Sequence, residues 1–232
     1  MNLTTRKNHE YASRGAECEF CREFEESETS FFAHTYAGSA RSRIIEKRGG
    51  IVVLPTIGQL FTGSLLIMPL EHFETAAQMP KEQLDTCLHM VSVFSARLRF
   101  FGKPVVFEHG ARTGTGRSCG IYHAHLHLVP VPSDISIEEA LPRTGIEATN
   151  LEQAYDDLKT KDTYLLFRDT CGRVRHVSGS AACSENYSSQ YFRKTLVSHF
   201  DLHAPWDWRD YKGVEERVLD TLAVLRSHVV LS

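Results

Sequence analysis

No stretch of this chain approaches the roughly 20 consecutive apolar residues that a membrane-spanning helix requires. The opening Met-Asn-Leu-Thr-Thr-Arg-Lys-Asn-His-Glu lacks the apolar core of a secretory leader, so cytoplasmic residence is the expectation. Charge of either sign is nearly balanced, 26 Lys+Arg against 29 Asp+Glu, for a formal −3 over 232 residues. That leaves no electrostatic footprint for a nucleic-acid polymer or an anionic membrane, and neither is an expected partner. Neither a P-loop nor a dinucleotide-binding glycine fingerprint is present, and no Pro/Ser-rich linker or internal repeat divides the chain. Cysteine is sparse. Six residues without a leader read as thiols or metal ligands rather than as a disulfide framework. What remains is an ordinary globular composition, 42% hydrophobic and 24% charged, ample for a core.

The chemistry is concentrated in His123-Ala124-His125-Leu126-His127-Leu128-Val129-Pro130. An extended strand sends successive side chains to opposite faces, so three histidines spaced by two share one face while Ala124, Leu126 and Leu128 point into a core. At ~3.3 Å per residue the Cα atoms of His123 and His127 lie roughly 13 Å apart, too far for one ion to take all three unless the strand bends. The three are expected to do different jobs. Near the N-terminus, Cys18-Glu-Phe-Cys21 can close on one tetrahedral metal but supplies only two of its four ligands, so metal binding, redox chemistry and chance all stay open. Cys87, Cys119, Cys171 and Cys183 are scattered, and Cys87 suits a small buried hydrophobe.

Around these residues the pattern is mixed. Glu23, Glu25, Glu26 and Glu28 read as a solvated acidic segment. Ile51–Pro55 follows the Gly49-Gly50 turn signal, with Ser42–Glu46 a candidate partner strand, and Ser64–Pro69 is a further apolar strand with His72 just past its end. Pro80 opens a helix whose stripe is Leu84, Leu88, Val91, Phe94, Leu98 and Phe101, stopped by Gly102 and Pro104. Pro104–Glu108 then reads as a buried strand feeding a loop over residues 109–120, whose four glycines and two arginines, Arg112 and Arg117, could meet phosphate oxygens.

Further on, Asn150 caps a helix bearing Leu151, Ala154, Tyr155 and Leu158. Thr163–Arg168 and Arg173–Val177 flank the hairpin signal Asp169-Thr-Cys-Gly172. The segment Ser188–Lys194 predicts a helix on which Gln190 and Arg193, three apart, share a face within reach of a phosphate site. Trp206 and Trp208 read as packing residues, and a last helix carries Val214, Val218, Thr221, Leu222 and Leu225.

His123-Ala-His125-Leu-His127-Leu-Val-Pro130 resembles the signature of the histidine triad (HIT) superfamily of nucleotide hydrolases and transferases, and Met68-Pro69-Leu70-Glu71-His72 resembles its second landmark. The N-terminal C-x2-C resembles the zinc-bearing branch, which includes the galactose-1-phosphate uridylyltransferases. The resemblance implies an α+β fold, an antiparallel sheet with a long helix packed on it, here followed by a C-terminal α/β extension. It covers roughly residues 15–132, preceded by a tail over 1–14 and followed by an extension over 133–232 packed on the same domain. By the same resemblance Cys18, Cys21, His72 and His123 hold a structural zinc, since Cys2His2 closes a tetrahedral shell. His125 is then the nucleophile that forms a covalent nucleotidyl-histidine at the α-phosphorus, and a charged His127 stabilises the phosphoryl oxygens and leaving group. Many relatives dimerise, so a homodimer is a further expectation.

This chain also departs from the pattern. Where small members carry Gly-Gln-Ser before the triad it has Ser118-Cys119-Gly120, and where they often place an aspartate for the ribose it has Thr56. The asparagine expected after the preceding strand is replaced by Glu108 or His109. The expectation is a retained nucleophile with altered recognition of a small nucleotide substrate. The substrate is a phosphoramidate, a dinucleoside polyphosphate or a nucleotide-linked small molecule, and the activity that of a hydrolase, phosphorylase or transferase. Arg112, Arg117, Ser118, Cys119, Gly120, Thr56, Gln190 and Arg193 are the candidate substrate contacts. The alternatives are a nucleotide-binding protein without turnover and a zinc hydrolase that uses all three triad histidines as ligands around an open water position.

Overall fold

The computed structural model of the protein describes residues 18–37, 42–115, 121–182, 187 and 189–227. One antiparallel sheet of eight strands runs through it: β1 (Glu46–Arg48), β2 (Ile51–Pro55), β3 (Leu65–Pro69), β4 (Lys103–Ala111), β5 (Leu126–Val131), β6 (Ile146–Ala148), β7 (Thr163–Arg168) and β8 (Val174–Ser178). Their spatial order is β1-β2-β3-β5-β4-β7-β8-β6. β2 and β3 are buried at every position, which is why both read as unbroken apolar runs rather than alternating ones.

Alternation sorts the strand residues onto two faces. Ile51, Val53, Leu65, Ile67, Val106, Leu126, Leu128, Tyr164 and Leu166 pack against α3 (Lys81–Leu98), the core helix predicted from its stripe. That helix buries Leu84, Cys87, Met90, Val91, Phe94 and Leu98, each worth about 1.5–3 kcal/mol for the large apolar ones. It stops at Leu98, short of Phe101, and the chain turns into β4 through Gly102, where an added Cβ would lie 2.5 Å from the Val131 carbonyl oxygen. On the opposite face Val105, Phe107, Val129, Val131, Leu165 and Phe167 form a second core with Phe192 and Leu196 of a later helix, while Val52, Leu54, Leu66 and Met68 pack beneath Cys18 and Phe20.

Two short helices, α1 (Glu19–Phe24) and α2 (Phe31–Tyr36), lie on that opposite face. The acidic stretch, read from sequence as solvated, is not wholly so. Glu23 accepts from Arg43 Nε and Nη2, both at 2.7 Å, and the two side chains are 7% and 3% exposed. With Arg43 committed to Glu23 and to the Pro55 carbonyl, the first strand begins only at Glu46 rather than at Ser42.

Past residue 133 the chain adds α4 (Ile137–Ala140), α5 (Leu151–Leu158), α6 (Tyr191–His199) and α7 (Glu216–Ser227). Asn150 caps α5 by accepting from Gln153 N at 2.9 Å. β7 lies along β4 over six paired positions, so this later part of the chain extends the same sheet. The helix predicted over 188–194 begins later, because Gln190 precedes it in the left-handed conformation at φ 60°. α7 and the residue before it latch the segment between β2 and β3. Glu215 accepts from Gly58 N and Gln59 N, Arg217 donates to the Gln59 and Leu60 carbonyls, and Thr221 accepts from Gly63 N at 2.8 Å. No helix among the described residues is long and apolar enough to cross a membrane.

Candidate functional site

The histidine stretch is not one continuous strand. β5 starts at Leu126, so only His127 belongs to it. His123 and His125 precede it on irregular backbone tied to the neighbouring loop, where Ala124 N donates to Phe73 O. This bend gives the three imidazoles different surroundings. His123 turns to the cysteines, whereas His125 and His127 face each other with ring centroids 5.1 Å apart.

Cys18, Cys21, His72 and His123 converge, with their donor atoms all within 4.8 Å of one another. Cys18 Sγ is 3.5 Å from His123 Nδ1, Cys21 Sγ is 3.6 Å from the same atom, and Cys21 Sγ is 3.4 Å from His72 Nδ1. A tetrahedral zinc with bonds of about 2.0–2.3 Å separates its ligands by about 3.3–3.8 Å, so these spacings and this donor set fit that ion. His123 Nε2 donates to the Pro69 carbonyl at 2.9 Å, which leaves the Nδ1 lone pair aimed at the sulfurs. The Cys18 thiol is pushed down to about 2, chiefly by its hydrogen bond with Cys21 and then by those with His123 and His72, while Cys21 is pushed up. Ligation of zinc would require both thiols as thiolates, and the cluster already favours the charged form of one of them.

Beside the cluster lies a cleft, bounded by α1 and α2 on one side, by β4 and β5 on its floor and by α6 on the other side. His125, His127 and His109 line it together with Phe20, Phe31, Phe32, Phe107, Phe192, Arg43, Arg193 and Trp208. His125 Nδ1 donates to the His123 carbonyl oxygen, an atom that can only accept, which fixes the tautomer that carries its lone pair on Nε2. His127 stacks on Phe107 with centroids 4.5 Å apart. Burial, then the nearby His125 and Arg193, push its pKa well below the ordinary imidazole value, so His127 is neutral here and not the charged group expected from sequence.

Arg193 brings a buried positive charge to the cleft. It is 5% exposed and donates from Nε to Trp206 O at 2.6 Å and from Nη2 to Gly58 O at 2.7 Å. Among the described residues no carboxylate lies within 4.0 Å of it. The Tyr211 side chain also bonds it, and Glu215 and Asp207 act on it from farther off, so the guanidinium is held mainly by neutral groups and suits an anion. Gln190 also lines the cleft; its Oε1 accepts from Trp208 N at 3.2 Å, and its side chain lies against Asp207, whose carboxylate it helps keep ionised. Thr56 lines it too, with its hydroxyl donating to the Ile57 carbonyl.

Not every residue read from sequence arrives here. Arg112 does not line the cleft and instead pairs with Asp162 at 3.0 Å. Arg117, Ser118, Cys119 and Gly120 lie outside the described residues. Trp208 packs edge-on against Phe31 at 5.8 Å in the cleft wall. Arg43 is a cleft residue that sequence reasoning passed over, and His109, read there only as one of two residues at the position of the expected asparagine, also lines the cleft. The signal for His109 was its place two residues after Phe107, hence on the same face of β4. Glu108, of opposite parity, points into the other core, where it accepts from Ala76 N, Tyr155 Oη and Tyr164 Oη and burial raises its pKa.

No family model matches the chain, and no curated protein matches it. Solved structures similar to it are histidine triad proteins. A HIT-like protein involved in cell-cycle regulation from Bartonella henselae is 16% identical, with 47% of this chain and 83% of that one covered and a TM-score of 0.35. A HIT family hydrolase from Legionella pneumophila is 20% identical, with 44% and 93% covered and a TM-score of 0.34. A zinc-bound histidine triad family protein from Mycobacterium smegmatis is 16% identical, with 55% and 88% covered and a TM-score of 0.34. At such distances, what the site does has to be read from its own residues.

Proposed function

We propose that this protein is a nucleotidyl hydrolase or transferase of the histidine triad type, working through a covalent intermediate on His125. The observation that carries the reading is the pairing of His125 Nδ1 with the His123 carbonyl at the wall of a cleft that also holds the buried Arg193. Nε2 of His125 attacks the α-phosphorus, the bond from phosphorus to the leaving group breaks, and its electron pair departs with that group. The acceptor then attacks the same phosphorus, and the P–N pair returns to Nε2. Arg193 supplies the charge that steadies the phosphoryl oxygens, and neutral His127 offers them a hydrogen bond. Cys18, Cys21, His72 and His123 would hold zinc, which in a closed shell supplies a structural clamp rather than a reacting water. Because His123 is taken by that cluster and His125 and His127 face the cleft, the geometry favours this reading over a zinc hydrolase with three triad ligands. The aromatic flank of the cleft, Phe20, Phe31 and Trp208, suits the planar base of a small nucleotide.

The deciding experiment incubates the protein with nucleoside phosphoramidates and dinucleoside polyphosphates, quenches, and weighs the intact chain. A mass increase of one nucleotidyl group, absent from His125→Asn with the metal content unchanged, is the expected result. Turnover that persists in His125→Asn overturns the reading, and nucleotide binding without any adduct or turnover favours a binding protein instead.

A further inference from the structure

Glu108 is a buried carboxylate that the mechanism above leaves unused. It is 2% exposed, on the face of β4 turned away from the cleft. Three donors converge on it. Ala76 N reaches one oxygen at 2.9 Å, and Tyr155 Oη and Tyr164 Oη reach the other, each at 2.7 Å. Tyr164 Oη also accepts from Ala77 N at 3.3 Å. A carboxylate in a core is costly and needs such partners, whereas an apolar residue would pack there without them. The backbone is shaped to the arrangement as well. Gly110 faces Tyr164 in the register of β4 and β7, and a Cβ there would lie 2.3 Å from Tyr164 Cζ, so glycine lets the ring lie across the strand.

What the carboxylate holds is one short segment. Residues 72–78 run from His72 of the metal cluster, through Phe73, whose carbonyl accepts from Ala124 N between His123 and His125, to the single 3-10 turn Ala76–Gln78. Gln78 Oε1 accepts from Glu74 N and Thr75 N, which stiffens the segment against itself. Glu108 ties it to β4 through Ala76, and Thr113 holds Glu74 from just past the end of that strand. We propose that Glu108, clamped by Tyr155 and Tyr164, is a positioning residue that sets where His72 and the Phe73 carbonyl stand, and so aligns the metal cluster and the triad from the far side of the sheet. Tyr155 lies on α5 and Tyr164 on β7, which gives the chain past residue 133 a task at the site beyond supplying a cleft wall. The proposal rests on the metal cluster and not on the identity of the substrate.

The test puts cobalt(II) in place of zinc in the full chain, grown in cobalt medium, because its visible bands report the identity and geometry of its ligands. Chelator competition then gives its affinity. Glu108→Leu is expected to hold cobalt about tenfold or more weakly and with altered bands, as when a group that supports a ligand is lost. Glu108→Gln, which keeps an acceptor for Ala76 N, should return most of the parent spectrum, and Tyr164→Phe should fall between the two; both keep the test open if the Leu variant does not fold. Leu225→Ala, a truncation of the same core on α7, should lower the melting point yet leave bands and affinity within about twofold of the parent. Parent bands and affinity in Glu108→Leu or, where that variant does not fold, in Tyr164→Phe overturn the positioning role, as does an equal change in Leu225→Ala. A parent chain that takes up no cobalt overturns the metal cluster and this proposal with it, whereas a missing adduct on His125 overturns the nucleotidyl reading alone.

Discussion

Glu215 accepts a hydrogen bond from the backbone N–H of Gly58 at 2.7 Å, across 157 positions of sequence. The same carboxylate takes Gln59 N at 3.1 Å, so one acidic side chain ahead of the last helix fixes the turn that follows Thr56 and Ile57. Those two residues line the cleft. Replacing Glu215 by Gln leaves one carbonyl where two acceptor oxygens stood. The expected cost is roughly 2 kcal/mol of stability, since hydrogen bonds to a charged group are worth about 1.5–3 kcal/mol each. Thermal melting reads the stability and nucleotide titration reads the cleft. A melting point and affinity both equal to those of the parent protein would show that the latch is idle.

The cysteine and histidine cluster makes a prediction about metal. The purified protein should carry about one zinc per chain by elemental analysis, and Cys18→Ala should lose it. Chelation or Cys18→Ala should lower the melting point by many degrees, because a structural zinc contributes its binding energy to the folded state alone. The loss should also loosen α1, whose Phe20 and Cys18 pack on β2 and β3. Unchanged metal content in Cys18→Ala would remove the cluster from consideration.

Acid should destabilise the fold through His109. The folded imidazole has its pKa near 4, against an ordinary value of 6.5. Below that ordinary value the unfolded chain takes up a proton that the folded chain refuses, so stability is complete above about pH 6.5 and declines as the pH falls toward 4. At about 1.4 kcal/mol per unit the decline from this group is of order 3 kcal/mol. His127, lowered for the same reason, adds in the same direction. Unfolding curves from pH 7 to pH 4 should therefore be flatter in His109→Gln than in the parent, and identical slopes would contradict the burial argument.

Local patterns in the sequence carried much of this architecture. The apolar stripe from Leu84 to Leu98, the buried runs of β2 and β3 and the Asp169-Thr-Cys-Gly172 turn each depend on neighbours within a few positions, so they are legible without the fold. Cys18, Cys21, His72 and His123 could be grouped only through a family pattern, and their donor atoms do come together. The cleft was less legible because its walls meet from segments far apart. Nothing near Glu23 announces that Arg43 will bury it, and nothing near Phe31 announces Trp208. His109 was hidden by its flanks, since alternation assigns a face but does not reveal that the opposite wall offers it no partner.

The position of β7 governs how this molecule can meet its own kind. By lying along β4 it takes up backbone groups that would otherwise stand open to another strand. The sheet then terminates in β1 and β6, each of only three residues. Rims that short give a visiting polypeptide little to zip onto, which discourages self-templated aggregation. A pair of these molecules would accordingly have to meet through helices and loops, leaving the two sheets as separate bodies.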